Sequence, residues 1–143
     1  MSYFKNSEEM YKIYKELFDH IASHPQIGSA LANSGLIVCF KVSDPEGKFT
    51  VNCRDKPIEK EKYISYEMGE SVLKPDLSFT CSSDFCHEFW QGKVNIVSAI
   101  LSGDAKVEGK IQQAMKLLPA LKPVYNLYPQ ILKEIGREDL IIK

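Results

Sequence analysis

The chain carries almost no net charge. Its 18 Lys and Arg residues stand against 19 Asp and Glu, leaving −1 at neutral pH. Without a global positive field no nucleic-acid partner is expected, and contact with an anionic membrane is at most local and transient. Long apolar runs are missing too: no stretch approaches the roughly 20 apolar residues of a membrane span. Residues Met1 to Asn6 lack the apolar core of a secretory signal, so a cytoplasmic location is expected. The closing Ile141-Ile142-Lys143 is not a peroxisomal tripeptide of the Ser-Lys-Leu type. Cysteine is sparse, and without an export signal Cys39, Cys53, Cys81 and Cys86 are expected as reduced thiols. No internal repeat, low-complexity tract or Gly/Ser linker divides the 143 residues, which fit one domain.

What is present is a regular alternation of periods. Met10, Ile13, Tyr14, Leu17, Phe18 and Ile21 recur at helical spacing, and Asn6 with Glu9 resembles a capping box, which predicts a helix from about Ser7 to Ser23. Pro25 opens a second helix that Gly35 stops. From Leu36 the period becomes two. Val38, Phe40 and Val42 share one face, Asp44-Pro45-Glu46-Gly47 turns the chain, and pairing Ser43 with Lys48 places Phe49, Val51 and Cys53 on that same face, with Thr50, Asn52 and Arg54 outside. Tyr63 to Met68 predicts a third strand, and Leu77, Phe79 and Cys81 a fourth. Ser83 is placed to cap a helix carrying Phe85, Phe89 and Trp90, and Asn95 to Leu101 forms a second short one. Ala105 and Val107 alternate in a fifth strand between Gly103 and Gly109. Two helical stripes follow: Ile111, Ala114, Met115, Leu118 and Leu121, then Val124, Tyr125, Tyr128, Ile131, Leu132 and Ile135. Pro119, Pro123 and Pro129 are expected to break this region into short, bent pieces. The class is α+β, one sheet with helices on its apolar face.

Catalytic groupings are weak. Cys81, Asp84, Cys86 and His87 form the most reactive-looking cluster, but Cys-x₄-Cys without a second pair does not make a structural zinc site, and Cys39 and Cys53 fall on opposite faces of the hairpin. Neighbouring helix positions such as Cys86 and His87 point about 100° apart, so direct activation of the thiol is not expected. Gly103 and Gly109 bracket a strand, not the strand-to-helix turn that cradles phosphate. Lys56 to Lys62 is mixed in sign and reads as a solvated loop. Neither a cofactor nor a metal is expected.

The second half is rich in large apolar residues beyond what one narrow stripe needs, which ordinarily means core. Within it, Gly92-Lys93-Val94-Asn95, Ser98-Ala99, Gly103 through Gly109 and Ala114-Met115-Lys116-Leu117 resemble motifs of the sterol carrier protein type 2 family. The resemblance extends in element order from about Gly35 to Leu121. Ile96 stands where many members have proline, and Asp104-Ala105 replaces a more usual Lys-Leu.

That resemblance implies a five-stranded, mainly antiparallel sheet with helices covering one face and an apolar tunnel. It further implies a non-catalytic carrier that binds, and in some relatives transfers, a fatty acyl chain, acyl-CoA or sterol. The tunnel lining is expected to come from Phe40, Val51, Phe79, Phe85, Phe89, Trp90, Ile96, Ile100, Leu101, Met115, Leu118, Leu121, Tyr125 and Tyr128. The single domain, 1–143, would comprise N-terminal helices over 1–34, a core over 35–121 and a C-terminal helical lid over 122–143. A hydrophobic small molecule is the expected partner, bound by a monomer or homodimer. The alternative is an interaction or dimerisation module, or an accessory domain working with a lipid-metabolising enzyme.

Overall fold

Asn6 takes extended backbone and its side chain accepts the Glu9 N–H at 2.8 Å, so α1 (Ser7–Ser23) begins where the capping pattern predicts. The reciprocal half of the box differs: the Glu9 carboxylate accepts from the Lys5 N–H at 3.3 Å. The computed structural model describes residues 2–143, and Met1 lies outside the described residues. α1 buries Met10, Ile13, Tyr14, Leu17, Phe18 and Ile21. Pro25 opens α2 (Pro25–Ser34), and Gly35, at φ 65°, ends it in the left-handed conformation that suits glycine.

Five strands, β1 (Ile37–Ser43), β2 (Gly47–Asn52), β3 (Ser65–Met68), β4 (Leu77–Ser82) and β5 (Lys106–Gly109), lie in the order β3-β2-β1-β4-β5. All neighbours are antiparallel except β1 and β4. The hairpin register differs from the expected one by two residues. Gly47 already belongs to β2 and pairs with Val42, so Lys48 faces Lys41 and Phe49 faces Phe40. An even slip preserves the faces: Val38, Phe40, Val42, Phe49 and Val51 all enter the core. Thr50 and Asn52, expected outside, are buried. Thr50 is flanked on both sides by paired strands, opposite Cys39 and Glu67, and the Asn52 amide bonds Asp55 and the Arg54 and Asp55 N–H groups at 3.0 Å. β3 starts later than expected because the Tyr63 N–H donates to Ala22 at the end of α1, at 2.8 Å, rather than to a strand.

Ser82, not Ser83, caps α3 (Ser83–Trp90), accepting the Phe85 N–H at 3.0 Å, while the Ser83 hydroxyl donates to the Asp44 carbonyl at 2.7 Å. With Ser82 as cap, Cys81 and Cys86 fall on the two positions that conventionally staple a helix start to the preceding chain. Asn95 caps α4 (Ile96–Ser102) through the Ser98 N–H. Gly109 ends β5 at φ 101°, and a Cβ there would stand 2.1 Å from the Asp76 carbonyl oxygen.

Two further helices, α5 (Ile111–Leu121) and α6 (Val124–Glu134), precede a 3₁₀ turn (Glu138–Leu140). Pro119 and Pro129 lie inside these helices, and the break comes only at Lys122-Pro123. The carbonyl that Pro119 leaves without a helical donor belongs to Met115 on an exposed turn, where water can serve it. α5 is also rotated from the expected stripe: Ala114, Leu117 and Leu121 are buried, whereas Ile111 and Met115 are exposed. Both faces of this helix offer apolar residues at helical spacing, and packing against α2 selects the one bearing Leu117.

Candidate functional site

Helices α1, α3 and α5 close over the apolar face of the sheet without filling it. One cavity of about 20 Å³ is bounded by Phe40, Phe79, Cys81, Phe85, Cys86, Phe89, Ile96 and Ala105. A second, also about 20 Å³, is bounded by Phe18, Ile21, Leu31, Val38, Val51, Cys53 and Trp90. Leu117 and Leu121, one turn apart on α5, and Phe40 on β1 wall both. These three side chains therefore form the partition between two otherwise separate spaces. Each holds roughly one water, whereas sites for drug-sized ligands occupy roughly 300–1,000 Å³, so a lipid requires the walls to move.

Of the residues expected to line a tunnel, Phe40, Phe79, Phe85, Phe89, Ile96 and Leu121 meet at the first cavity, and Val51 and Trp90 join Phe40 and Leu121 at the second. Ile100, Leu118 and Tyr125 are half-buried beside them and line neither. Tyr128 is buried deeper, against α1 and α3. Leu101 is 84% exposed and Met115 36% exposed, so both face away from the cavities. Leu117, Cys81, Cys86 and Ala105 at the first cavity and Phe18, Ile21, Leu31, Val38 and Cys53 at the second were missed. The i, i+3, i+7 run Ala114-Leu117-Leu121 carried the signal for Leu117, but the competing Met115-Leu118 stripe obscured it.

Elsewhere an open groove of about 620 Å³ includes Lys15, Asp19, Asp55, Lys56, Glu59 and Lys62. Mixed charge and an open mouth suit solvent better than an acyl chain, in keeping with a solvated Lys56 to Lys62 loop.

Polar groups border the apolar spaces. Cys86 donates its thiol to Cys81 across the helix start, which lowers the Cys81 thiol and, together with full burial, raises Cys86 well above the ordinary range. Burial pushes Cys53 up to about 12. The Tyr14 hydroxyl and the Trp90 indole N–H are buried near Cys86. Neither of those buried polar atoms has a hydrogen bond of normal geometry. A thiol is a weak partner, and the Tyr14 hydroxyl also has the Tyr128 hydroxyl beside it.

Further along, His87 is fully buried and fixes the C-terminal end. Its Nε2–H donates to the Leu140 carbonyl at 2.7 Å and its Nδ1 accepts from the Tyr128 hydroxyl at 2.9 Å; because a carbonyl only accepts, the Leu140 contact assigns the tautomer. The Gln91 amide donates to the same carbonyl at 3.1 Å and accepts the Ile142 N–H at 2.8 Å. Burial holds the imidazole below its ordinary value, opposed by its bond to Leu140. No nucleophile is paired with a base in this arrangement: His87 spends both ring nitrogens on structure. Among the described residues no group of three or more His, Cys, Asp or Glu side chains is placed to hold a metal ion.

Residues 15–122 match the SCP-2 sterol transfer family. The chain belongs to that family. The match begins within α1, so it takes in both N-terminal helices' neighbourhood, where no family motif is evident by eye. The SCP-2 fold is also that of solved structures: the sterol carrier protein domain 2 of Helicoverpa armigera, at 24% identity and TM-score 0.63, covers 88% of this chain and 95% of its own. Sterol carrier protein 2 of Yarrowia lipolytica, in its apo form, is 15% identical with TM-score 0.58, over 84% of this chain and 92% of its own. No curated protein matches the chain in sequence. Membership of the family supports lipid binding or transfer as the general role, and no helix among the described residues is long and apolar enough to cross a membrane.

Proposed function

We infer that this SCP-2 chain carries a fatty acyl chain, an acyl-CoA or a sterol between its sheet and α5, without catalysing a reaction on it. The observation that carries this reading is the pair of wholly apolar cavities divided only by Phe40, Leu117 and Leu121. Outward displacement of α5 would merge them into one elongated space. α5 suits that movement: it has no side-chain N-cap, its first turn exposes Ile111, and its principal packing partner is α2.

The moving cover is therefore α5 rather than the whole of 122–143. α6 packs on α1 and α3, and the residues after it are fastened through His87 and Gln91. Apolar burial at about 25 cal/mol per Å² holds such a ligand with little directional bonding, which favours a broad ligand range. A hydrophobic small molecule is the partner, and nothing in the mechanism requires a cofactor.

A second reading, a dimerisation or interaction module, draws on Val97 and Leu101 of α4, 47% and 84% exposed. Native mass spectrometry of protein purified without detergent, followed by denaturing lipid extraction, separates the two. One lipid per monomer supports the carrier. An obligate dimer that holds no lipid and ignores added fatty acid supports the module.

A further inference from the structure

Charge is unevenly distributed along this chain. From Lys93 to Lys122 five lysines stand against Asp104 and Glu108, a balance of +3 in a protein of −1, so the remaining residues carry −4. All five lysines are exposed, and among the described residues only Lys110 of the five reaches a carboxylate, that of Asp76 at 3.7 Å. The same segment runs through α4, the edge strand β5 and α5.

Its two helices both border the first cavity, α4 through Ile96 and α5 through Leu117 and Leu121. Their outer turns carry apolar side chains that are left exposed. Val97 and Leu101, one turn apart, lie opposite the buried Ala99, and Ile111 and Met115 repeat that spacing at the start of α5. Exposed apolar residues scattered singly need no explanation. Here two such pairs, on two helices that close one cavity, are interspersed with lysine.

An occupant of this face must be apolar at its centre and negative at its rim. A second copy meeting it about a two-fold axis would set lysines against lysines, which disfavours a symmetric dimer. An anionic phospholipid surface satisfies both requirements, because the acyl boundary takes the apolar side chains while the lysines meet the phosphates.

We propose that the outer face of α4 and the first turns of α5 docks on an anionic bilayer, presenting the cover of the first cavity to the lipid that enters or leaves it. The proposal rests on the carrier reading above for its purpose and adds the donor or acceptor, a membrane of negative surface charge. The contact is local, as the near-neutral whole chain requires, and salt weakens it.

Flotation of the full-length protein with phosphatidylcholine vesicles, with and without phosphatidylserine, tests the docking face. The expected result is binding to the phosphatidylserine vesicles alone, released by salt. Leu101→Asp should weaken it about tenfold or more, the worth of one leucine in an apolar phase, and Lys106→Gln and Lys116→Gln roughly fivefold each. Ile58→Asp should change nothing: Ile58 is fully exposed too, but lies in the mixed-charge loop beside β3, at the opposite edge of the sheet. Loading of a fluorescent fatty acid in solution should be equal in all these proteins. No binding to either vesicle, equal binding to both, or equal losses in Ile58→Asp and Leu101→Asp overturns the docking face. So does a wild-type dimer that Leu101→Asp dissociates, which assigns the face to a second copy. Wild type that loads fatty acid but ignores vesicles leaves the carrier reading standing. Wild type that docks yet loads no fatty acid keeps the docking face and overturns the carrier reading.

Discussion

The imidazole of His87 on α3 and the backbone carbonyl of Leu140, 53 residues later, are joined by a buried 2.7 Å hydrogen bond. This bond and the Gln91 contacts fasten the end of the chain to the helix that walls the first cavity. It sets a pH dependence. Burial depresses the folded-state value of His87 below its ordinary 6.5. The stability it contributes is present above that unfolded value and is lost as pH falls through the folded one, because the unfolded chain takes up the proton first. Thermal melts from pH 7.5 to 5.5 should show a falling Tm, at most about 1.4 kcal/mol per pH unit from this group, and His87→Gln should flatten the slope. Parallel slopes in the two proteins would contradict the assignment.

Leu117 should be the most sensitive residue of α5. Its replacement by alanine joins the two cavities and costs about 2–5 kcal/mol in denaturant unfolding. Saturating lipid should restore part of the loss, since a ligand that binds only the folded state stabilises it by mass action. The same substitution at Met115, which is exposed, should cost under about 0.5 kcal/mol.

Thiol reactivity should be ordered. Cys81 is half-buried and lowered by the Cys86 thiol, whereas Cys53 and Cys86 are buried and raised. A thiol-specific reagent at neutral pH should modify Cys81 first, as read by peptide mass mapping, and bound lipid should slow it because Cys81 borders the first cavity. Earlier modification of Cys53 would contradict the burial pattern.

Gly109 should tolerate no side chain. Its φ of 101° disfavours L residues, and a Cβ would meet backbone, the Asp76 oxygen, at 2.1 Å. Gly109→Ala should cost about 2 kcal/mol or more. Gly47→Ala should cost less, because the atom 2.1 Å away is the Met10 methyl at the end of a flexible side chain.

The elements themselves were legible in the sequence, since alternation at Val38, Phe40 and Val42 and the Asn6, Pro25 and Gly35 signals act locally. Registry was less so. The hairpin shifted by two residues because Gly47 extends a strand as readily as it ends a turn, and an even shift leaves the hydrophobic pattern unchanged. The cavity lining was readable for Phe40, Phe79, Phe85 and Phe89, whose faces are set by the sheet and by α3. On α5, two apolar stripes compete and only tertiary packing chooses, so Leu117 took the place expected of Met115 and Leu118. The unpartnered Tyr14 and Trp90 atoms carry no sequence signature, because what marks them is an absence of hydrogen bonds of normal geometry.

The most direct measurement is native mass spectrometry of wild type and Leu117→Trp after incubation with a fatty acyl ester, with circular dichroism to establish that both are folded. Filling the partition with an indole should leave wild type carrying one ligand per chain and the folded variant carrying none. Equal loading of the two, or no loading of the wild type, would contradict a ligand site between the sheet and α5.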